Sequence, residues 1–309
     1  MKPATPSMTL QDWGLLVFLS VLWGGSFMFV GFAVRELSPL LIVLSRVVIA
    51  AAILLPVHWL LHGPLPHDAR SWVSFAGVSI TNNVIPFTLF TVGQSMISSG
   101  LASVINATTP LFAFLILALA GHEPFSVRKI IGLAIGVAGV AVIKGLAPFG
   151  GGAEALGIFL CLLAAVSYGF GSLWAKLRLM QVPPLTASTG QLLCSSVLMG
   201  VLVLMFDDAT LLAGVSATGW SAILGLAVLS TALAYIVFFR LVIHAGPANA
   251  NLVTMLIPVS AILLGYLVLD ETLKPREIIG TLIIILALVV IDGRAMKWLK
   301  RSRPGDHAA

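Results

Sequence analysis

Charge is scarce in this chain. Lys, Arg, Asp and Glu supply 9% of its 309 residues, against about 25% in ordinary soluble domains, so no water-facing surface of the usual kind can be built from it. All twelve acidic residues fall at the ends of apolar runs or between them, and none of the six histidines is clearly in the middle of one. A pump normally carries its coupling ion on a midplane Asp, Glu or His, and no such relay is present. The chain also lacks H-E-x-x-H, paired intramembrane carboxylates and G-x-x-x-x-G-K-[ST], which sets aside a membrane protease and an ATPase. Cysteine is nearly absent. Cys161 and Cys194 both lie within apolar runs and read as small buried hydrophobes, not a disulfide or metal pair. The first run has no charged n-region followed by a small-residue cleavage site, so it is expected to be a retained helix.

What remains is apolar. Hydrophobic residues make up 59% of the chain and the mean hydropathy is +1.07. Ten runs recur at 12–34, 39–60, 72–94, 101–120, 127–143, 155–177, 185–206, 217–239, 248–269 and 275–292. As helices of roughly 18 to 23 residues, each is about long enough to cross a ~30 Å hydrocarbon core. Continuous apolarity points to helices, because barrel strands need only ~10 alternating residues. The chain therefore reads as an all-α membrane protein of ten transmembrane helices.

Lys and Arg orient it. With the N-terminus inside, twelve of the seventeen basic residues fall on the cytoplasmic side, four on the other side, and Arg46 within a span. The positive-inside rule then places both termini in the cytoplasm. The net charge of +5 is accounted for by this bias and by the basic tail, leaving little reason to expect nucleic-acid binding.

Two halves are related in sequence. A shift of 148 residues sets Pro110 on Pro258, Glu123 on Glu271, Arg128 on Arg276 and Gly132 on Gly280, without a gap; a shift of 145 pairs Trp23–Gly24 with Tyr168–Gly169 and Pro39 with Pro184. The expected units are 1–147, 148–294 and a basic tail at 295–309. Five spans per half is an odd number, so the second half enters the membrane from the opposite side. Inverted repeats with a midplane site between them are the usual plan of secondary transporters.

The segments LWGGSF at 22–27 and TTPLFAFLILALAGHEPFS at 108–126, with the echo LIPVSAILLGYLVLDETLK at 256–274, resemble the EamA family of the drug/metabolite transporter superfamily, ten-helix type. Within it the chain is most similar to YddG-type exporters of amino acids. The resemblance covers nearly the whole chain. It implies a basket-like bundle in a bacterial-type inner membrane, its cavity lined by helices 1 to 4 and 6 to 9, with helices 5 and 10 peripheral. It implies no cofactor and a monomer or homodimer.

The candidate substrate-binding residues follow from polarity at mid-span. The stretch TNNVIPF at 81–87 places Asn82 and Asn83 near the middle of the third span, and their +148 mates are Ser230 and Thr231. Buried amides serve either as interhelical glue or as cavity lining. Trp23 and Tyr168 are paired aromatics away from the interfacial belts where such rings usually lie, and both are assigned to the cavity. Ser26 follows the glycines of the first span, Asn106 precedes the hydroxyl-rich turn before Pro110, and Tyr235 is the mate of Phe87. Arg46 could clamp a substrate carboxylate or snorkel to the interface; its mate is Gln191. Gly24, Gly25, Pro86, Pro110 and Pro258 are candidate hinges, the glycines serving equally for close packing. Glu123 and Glu271 are assigned to helix-terminus structure. The expectation is a transporter, not an enzyme, moving small neutral or zwitterionic metabolites, amino acids first, by alternating access. An intramembrane enzyme acting on lipid-linked substrates is the alternative.

Overall fold

Five of the helices start where a small polar residue precedes an apolar run, since its side-chain oxygen satisfies a backbone N–H that the first turn leaves unpaired. In the computed structural model, which describes residues 8–144 and 152–292, Thr9 and Asp12 form a reciprocal capping box at α1 (Leu10–Ala33). Ser38 caps α2 (Pro39–His62), Asp68 caps α3 (Ala69–Gln94) and Ser98 caps α4 (Ser99–Leu119). The others are α5 (Val127–Lys144), α6 (Ala153–Arg178), α7 (Pro184–Phe206), α8 (Ala217–Ala245, capped by Ser216), α9 (Val253–Leu269) and α10 (Pro275–Asp292). Among the described residues there is no strand. Seven of these helices are long and apolar enough to cross a membrane, and α9 is a shorter apolar one. The tail at 295–309 and the expected junction at 147–148 lie outside the described residues.

Most spans fall within three residues of the sequence reading, and two depart further. α8 runs six residues past Phe239, because Arg240 and His244 are placed on its exposed face and need not end it. The ninth span divides into a single turn, Pro247–Ala250, and α9 proper. Asn249 Nδ2 donates to the Ala245 carbonyl at 2.7 Å, drawing this turn back onto the end of α8.

Glycine contacts display the two-fold relation directly. A Cβ on Gly24 would lie 2.9 Å from Ala261 N, and one on Gly169 would lie 3.1 Å from the Phe112 carbonyl carbon. A Cβ on Gly225 would meet the Phe29 ring at 2.5 Å, and one on Gly77 would meet the Trp174 indole at 2.2 Å. In each pair the two contacts interchange under the shifts of 145 and 148. α5 and α10 show the sense of the operation. Gly132 approaches the Ala287 carbonyl and Gly139 approaches the Gly280 carbonyl, so one helix ascends as the other descends. The fifth and tenth helices are antiparallel, as an inverted repeat of five requires. The product is a multi-pass all-α membrane fold of two five-helix repeats, with α5 and α10 paired and α2, α3, α7 and α8 meeting across the centre.

Candidate transport site

In the middle of α3 the helix widens into a π-helical segment, Ile80–Val84, whose closing N–H, that of Ile85, reaches the Ile80 carbonyl. Pro86 contributes, since it offers no N–H of its own. α8 widens likewise over Gly225–Leu233, where Thr231 Oγ1 donates to the Leu226 carbonyl at 2.8 Å. The +148 image of 80–84 is 228–232, inside that segment, and no proline accompanies it. π-turns inside α-helices concentrate at functional sites because they redirect side chains at a cost in backbone geometry.

These segments carry the polar centre. From α2, Arg46 does not run to the interface. Its Nε donates to Thr231 Oγ1 at 2.9 Å, and its Cζ lies 3.7 Å from the centroid of the Phe87 ring. The other half repeats this arrangement in neutral form, with Gln191 Nε2 donating to Tyr235 OH at 3.3 Å. Arg46 and Gln191 are mates, as are Phe87 and Tyr235. Tyr168 joins from α6, where its ring tilts against Phe90 at 6.1 Å and packs against the cluster that holds Phe87. Arg46, Tyr168 and Tyr235 are half-buried, although they converge from three different helices.

The two asparagines separate. Asn83 is fully enclosed. Its Nδ2 donates to Ser195 Oγ at 2.9 Å and its Oδ1 accepts from Tyr235 OH at 3.5 Å. Ser195 is also within 2.8 Å of Ser79, so a polar cluster ties α3 to α7. Asn82 is half-buried, abuts Gly171 of α6, and has no hydrogen bond among the described residues. Ser230 is buried with an unpartnered hydroxyl facing Gly25.

The remaining candidates lie around this centre. Trp23 packs on Phe238 at 5.3 Å, and a chain of rings continues through Phe239 to Tyr235. Ser26 Oγ is taken up by the Trp23 carbonyl at 2.6 Å. Asn106 ends the first segment of α4, directly before the two-residue break at Ala107 and Thr108 that precedes Pro110. Pro258 lies inside α9. α1 is continuously helical through Gly24 and Gly25, and Gly24 occupies a close crossing against Ser260 and Ala261.

The EamA-like transporter family matches residues 12–145 and again residues 155–292. The chain belongs to that family. Among similar proteins, the uncharacterized transporter YvbV of Bacillus subtilis is 29% identical over 91% of this chain and 91% of its own. The uncharacterized inner membrane transporter YedA of Escherichia coli is 28% identical over 91% and 90%. Protein PecM of Dickeya dadantii is 24% identical over 92% and 93%. A solved crystal structure covering 90% of this chain and 96% of that one superposes with a TM-score of 0.64 at 18% identity, which shows the fold. This EamA protein is thus a membrane transporter, and the candidate site joins residues of its two family repeats, Arg46 to Thr231 among them.

Sequence reasoning missed Gln191, Ser195 and Phe238 as members of the site. Gln191 had a signal, since it is the mate of Arg46. Ser195 had none, being one small residue among several in QLLCSS. Among the described residues no three His, Cys, Asp or Glu side chains converge as metal ligands.

Proposed function

We propose that this EamA protein moves amino acids, aromatic ones included, out of the cytoplasm by alternating access, with both termini cytoplasmic. The observation that carries the substrate reading is Arg46. Its two terminal nitrogens have no protein partner among the described residues, and the Phe87 ring it covers lies in one cluster with Tyr168 and Tyr235. A guanidinium fork fits a carboxylate bidentately, and rings beside it suit an apolar or aromatic side chain. Counterflow of labelled phenylalanine into liposomes containing only this protein should be saturable and competed by unlabelled amino acids. If no member of a full amino-acid panel moves, the substrate reading is wrong.

Unequal ends support alternating access. At the end holding the α1–α2 loop, Ser216 donates through its N–H and hydroxyl to Glu36 at 2.9 and 2.7 Å. Ser38 bonds Asp207 there, and Glu271 accepts from Ser99 N, Ser99 Oγ and Gly100 N at 3.0, 2.6 and 3.3 Å. At the other end the mates are not so joined. Gln181, the mate of Glu36, lines a cavity of about 340 Å³ beside Arg70 and Ser71, and Glu123, the mate of Glu271, pairs with Lys129 next to its own loop. The two ends are thus held differently: carboxylates latch one, while the other is joined through Trp174 Nε1 to the Ser74 carbonyl at 3.0 Å and Lys176 Nζ to the His122 carbonyl at 2.7 Å.

The hydrogen bonds from Ser216 hold the Glu36 carboxyl below its ordinary value of 4.5. A depressed carboxylate stabilises the latched form at pH above 4.5, and that contribution is lost as pH falls through the lowered value. Spin labels at Arg35 and Ala213 should therefore separate on acidification below pH 4.5, and a Glu36→Gln/Glu271→Gln variant should show the separated distance already at pH 7. An unchanged distance in that variant removes the latch.

A further inference from the structure

Among the described residues Arg46 is a charge without a counter-charge. The ion pairs of the described residues, Lys129–Glu123 and Glu154 with Lys274 and Arg276, lie at helix ends and loops. The Phe87 ring beneath Arg46 packs in one apolar cluster with the uncharged phenols of Tyr168 and Tyr235. Its Nε is committed to Thr231 and its face to Phe87, which leaves the fork open. The two-fold mate of this cation is the uncharged Gln191, so the centre holds a net positive charge that the repeat does not cancel. A lone guanidinium deep in a bundle is costly, and an incoming carboxylate offsets that cost.

The same geometry offers little to an ammonium. Acceptors near the centre are neutral: Asn83 Oδ1, already taken by Tyr235, the Gln191 amide oxygen, the phenol oxygens of Tyr168 and Tyr235, the free Asn82 amide and the Ser230 hydroxyl. An amino acid bound through its carboxylate must place its ammonium a bond or two from the guanidinium, in surroundings with no carboxylate to receive it. Repulsion between like charges at that range is strong where water is excluded.

Resting on the amino-acid reading of the site, we infer that it recognises the carboxylate and the ring and is opposed to the ammonium. The favoured ligand class is then an aromatic monocarboxylate of net charge −1. The corresponding zwitterionic amino acid binds more weakly, and aromatic amines are rejected.

Three probes that share one ring separate the terms: 3-phenylpropionate, phenylalanine and phenethylamine. Each is titrated at pH 7.5 against the detergent-solubilised full chain, with the thermal midpoint as readout, so that membrane permeability of the acid plays no part. Half-saturation should come at about tenfold lower concentration for 3-phenylpropionate than for phenylalanine, and phenethylamine should give no shift. Arg46→Gln, which copies the other half, should bring the first two probes to near parity, and Arg46→Lys should keep their order. Phenylalanine binding as tightly as 3-phenylpropionate in the wild type overturns the inference and leaves the amino-acid reading standing. A shift with 3-phenylpropionate alone overturns that reading and, with it, the ranking of amino acid below acid that rests on it. No shift with any probe, or an equal one with phenethylamine, overturns both. Because the wild-type series decides by itself, the test survives a variant that fails to fold.

Discussion

Gly139→Leu and Gly280→Leu are each expected to abolish folded yield, while Gly200→Leu leaves it unchanged. Where α5 and α10 cross, a Cβ on Gly139 would lie 3.0 Å from the Gly280 carbonyl oxygen, and a Cβ on Gly280 would lie 2.7 Å from the Gly139 carbonyl oxygen. Ile284 and Ile143 side chains crowd the same positions, and because backbone stands on both sides as well, no rotamer change alone relieves the clash. Membrane helices associate by close packing and not by hydrophobic exclusion, because lipid tails are as apolar as leucine. Forcing the pair apart thus forfeits most of what holds it. Overpacking a tight site costs about 1–3 kcal/mol even where side chains can give, and here the backbone cannot. A Cβ on Gly200 has nothing within 4 Å, which makes it a matched control for adding leucine to a glycine of the same bundle. Gel-filtration yield in mild detergent reads the result. Normal monodisperse yield from Gly139→Leu overturns the packing described for this crossing.

Those glycines show why so much of the fold was legible. A helix crossing needs small residues at fixed positions, the duplication keeps them at a fixed offset, and Gly132 on Gly280 was visible without coordinates. Span number and polarity of the centre follow from the same one-dimensional signals. The π-turns were not legible. A proline marks the one in α3, but the one in α8 has no local sequence mark, and it sets where Thr231 points and hence which residue Arg46 meets. The roles of Glu271 and Glu123 also exceeded the sequence, which assigned both to helix termini. Glu271 caps a terminus in the opposite repeat while Glu123 stays by its own loop, a difference between identical residues in matched positions.

The asparagines were legible as a pair and not as individuals, since adjacent helical residues point ~100° apart and periodicity alone does not say which way the helix is turned. The structure divides them, and the division makes opposed predictions. Asn83→Leu, nearly isosteric, removes the hydrogen bond to Ser195 and the acceptor for Tyr235 inside a site with no solvent exposure. A buried partner left unsatisfied costs about 1–3 kcal/mol, although membrane hydrogen bonds average nearer ~0.6 kcal/mol. The Ser79–Ser195 contact remains, which places the expectation in the lower half of that range. The apo thermal midpoint should fall, and the upward shift given by saturating substrate should persist from the lower baseline. Asn82 supports nothing that depends on its amide. Because its Oδ1 abuts Gly171, the suitable replacement is alanine and not a branched side chain. Asn82→Ala should leave the apo midpoint in place and weaken binding up to about tenfold by deleting one substrate hydrogen bond. At a ligand concentration about one hundred times the wild-type Kd, ligand stabilisation should then drop from about 2.7 to about 1.4 kcal/mol. Measuring both variants with and without substrate gives four midpoints. If Asn83→Leu loses the ligand shift at an unchanged apo midpoint, Asn83 is the residue facing the substrate, and the cluster linking α3 to α7 is part of the binding surface instead of its support.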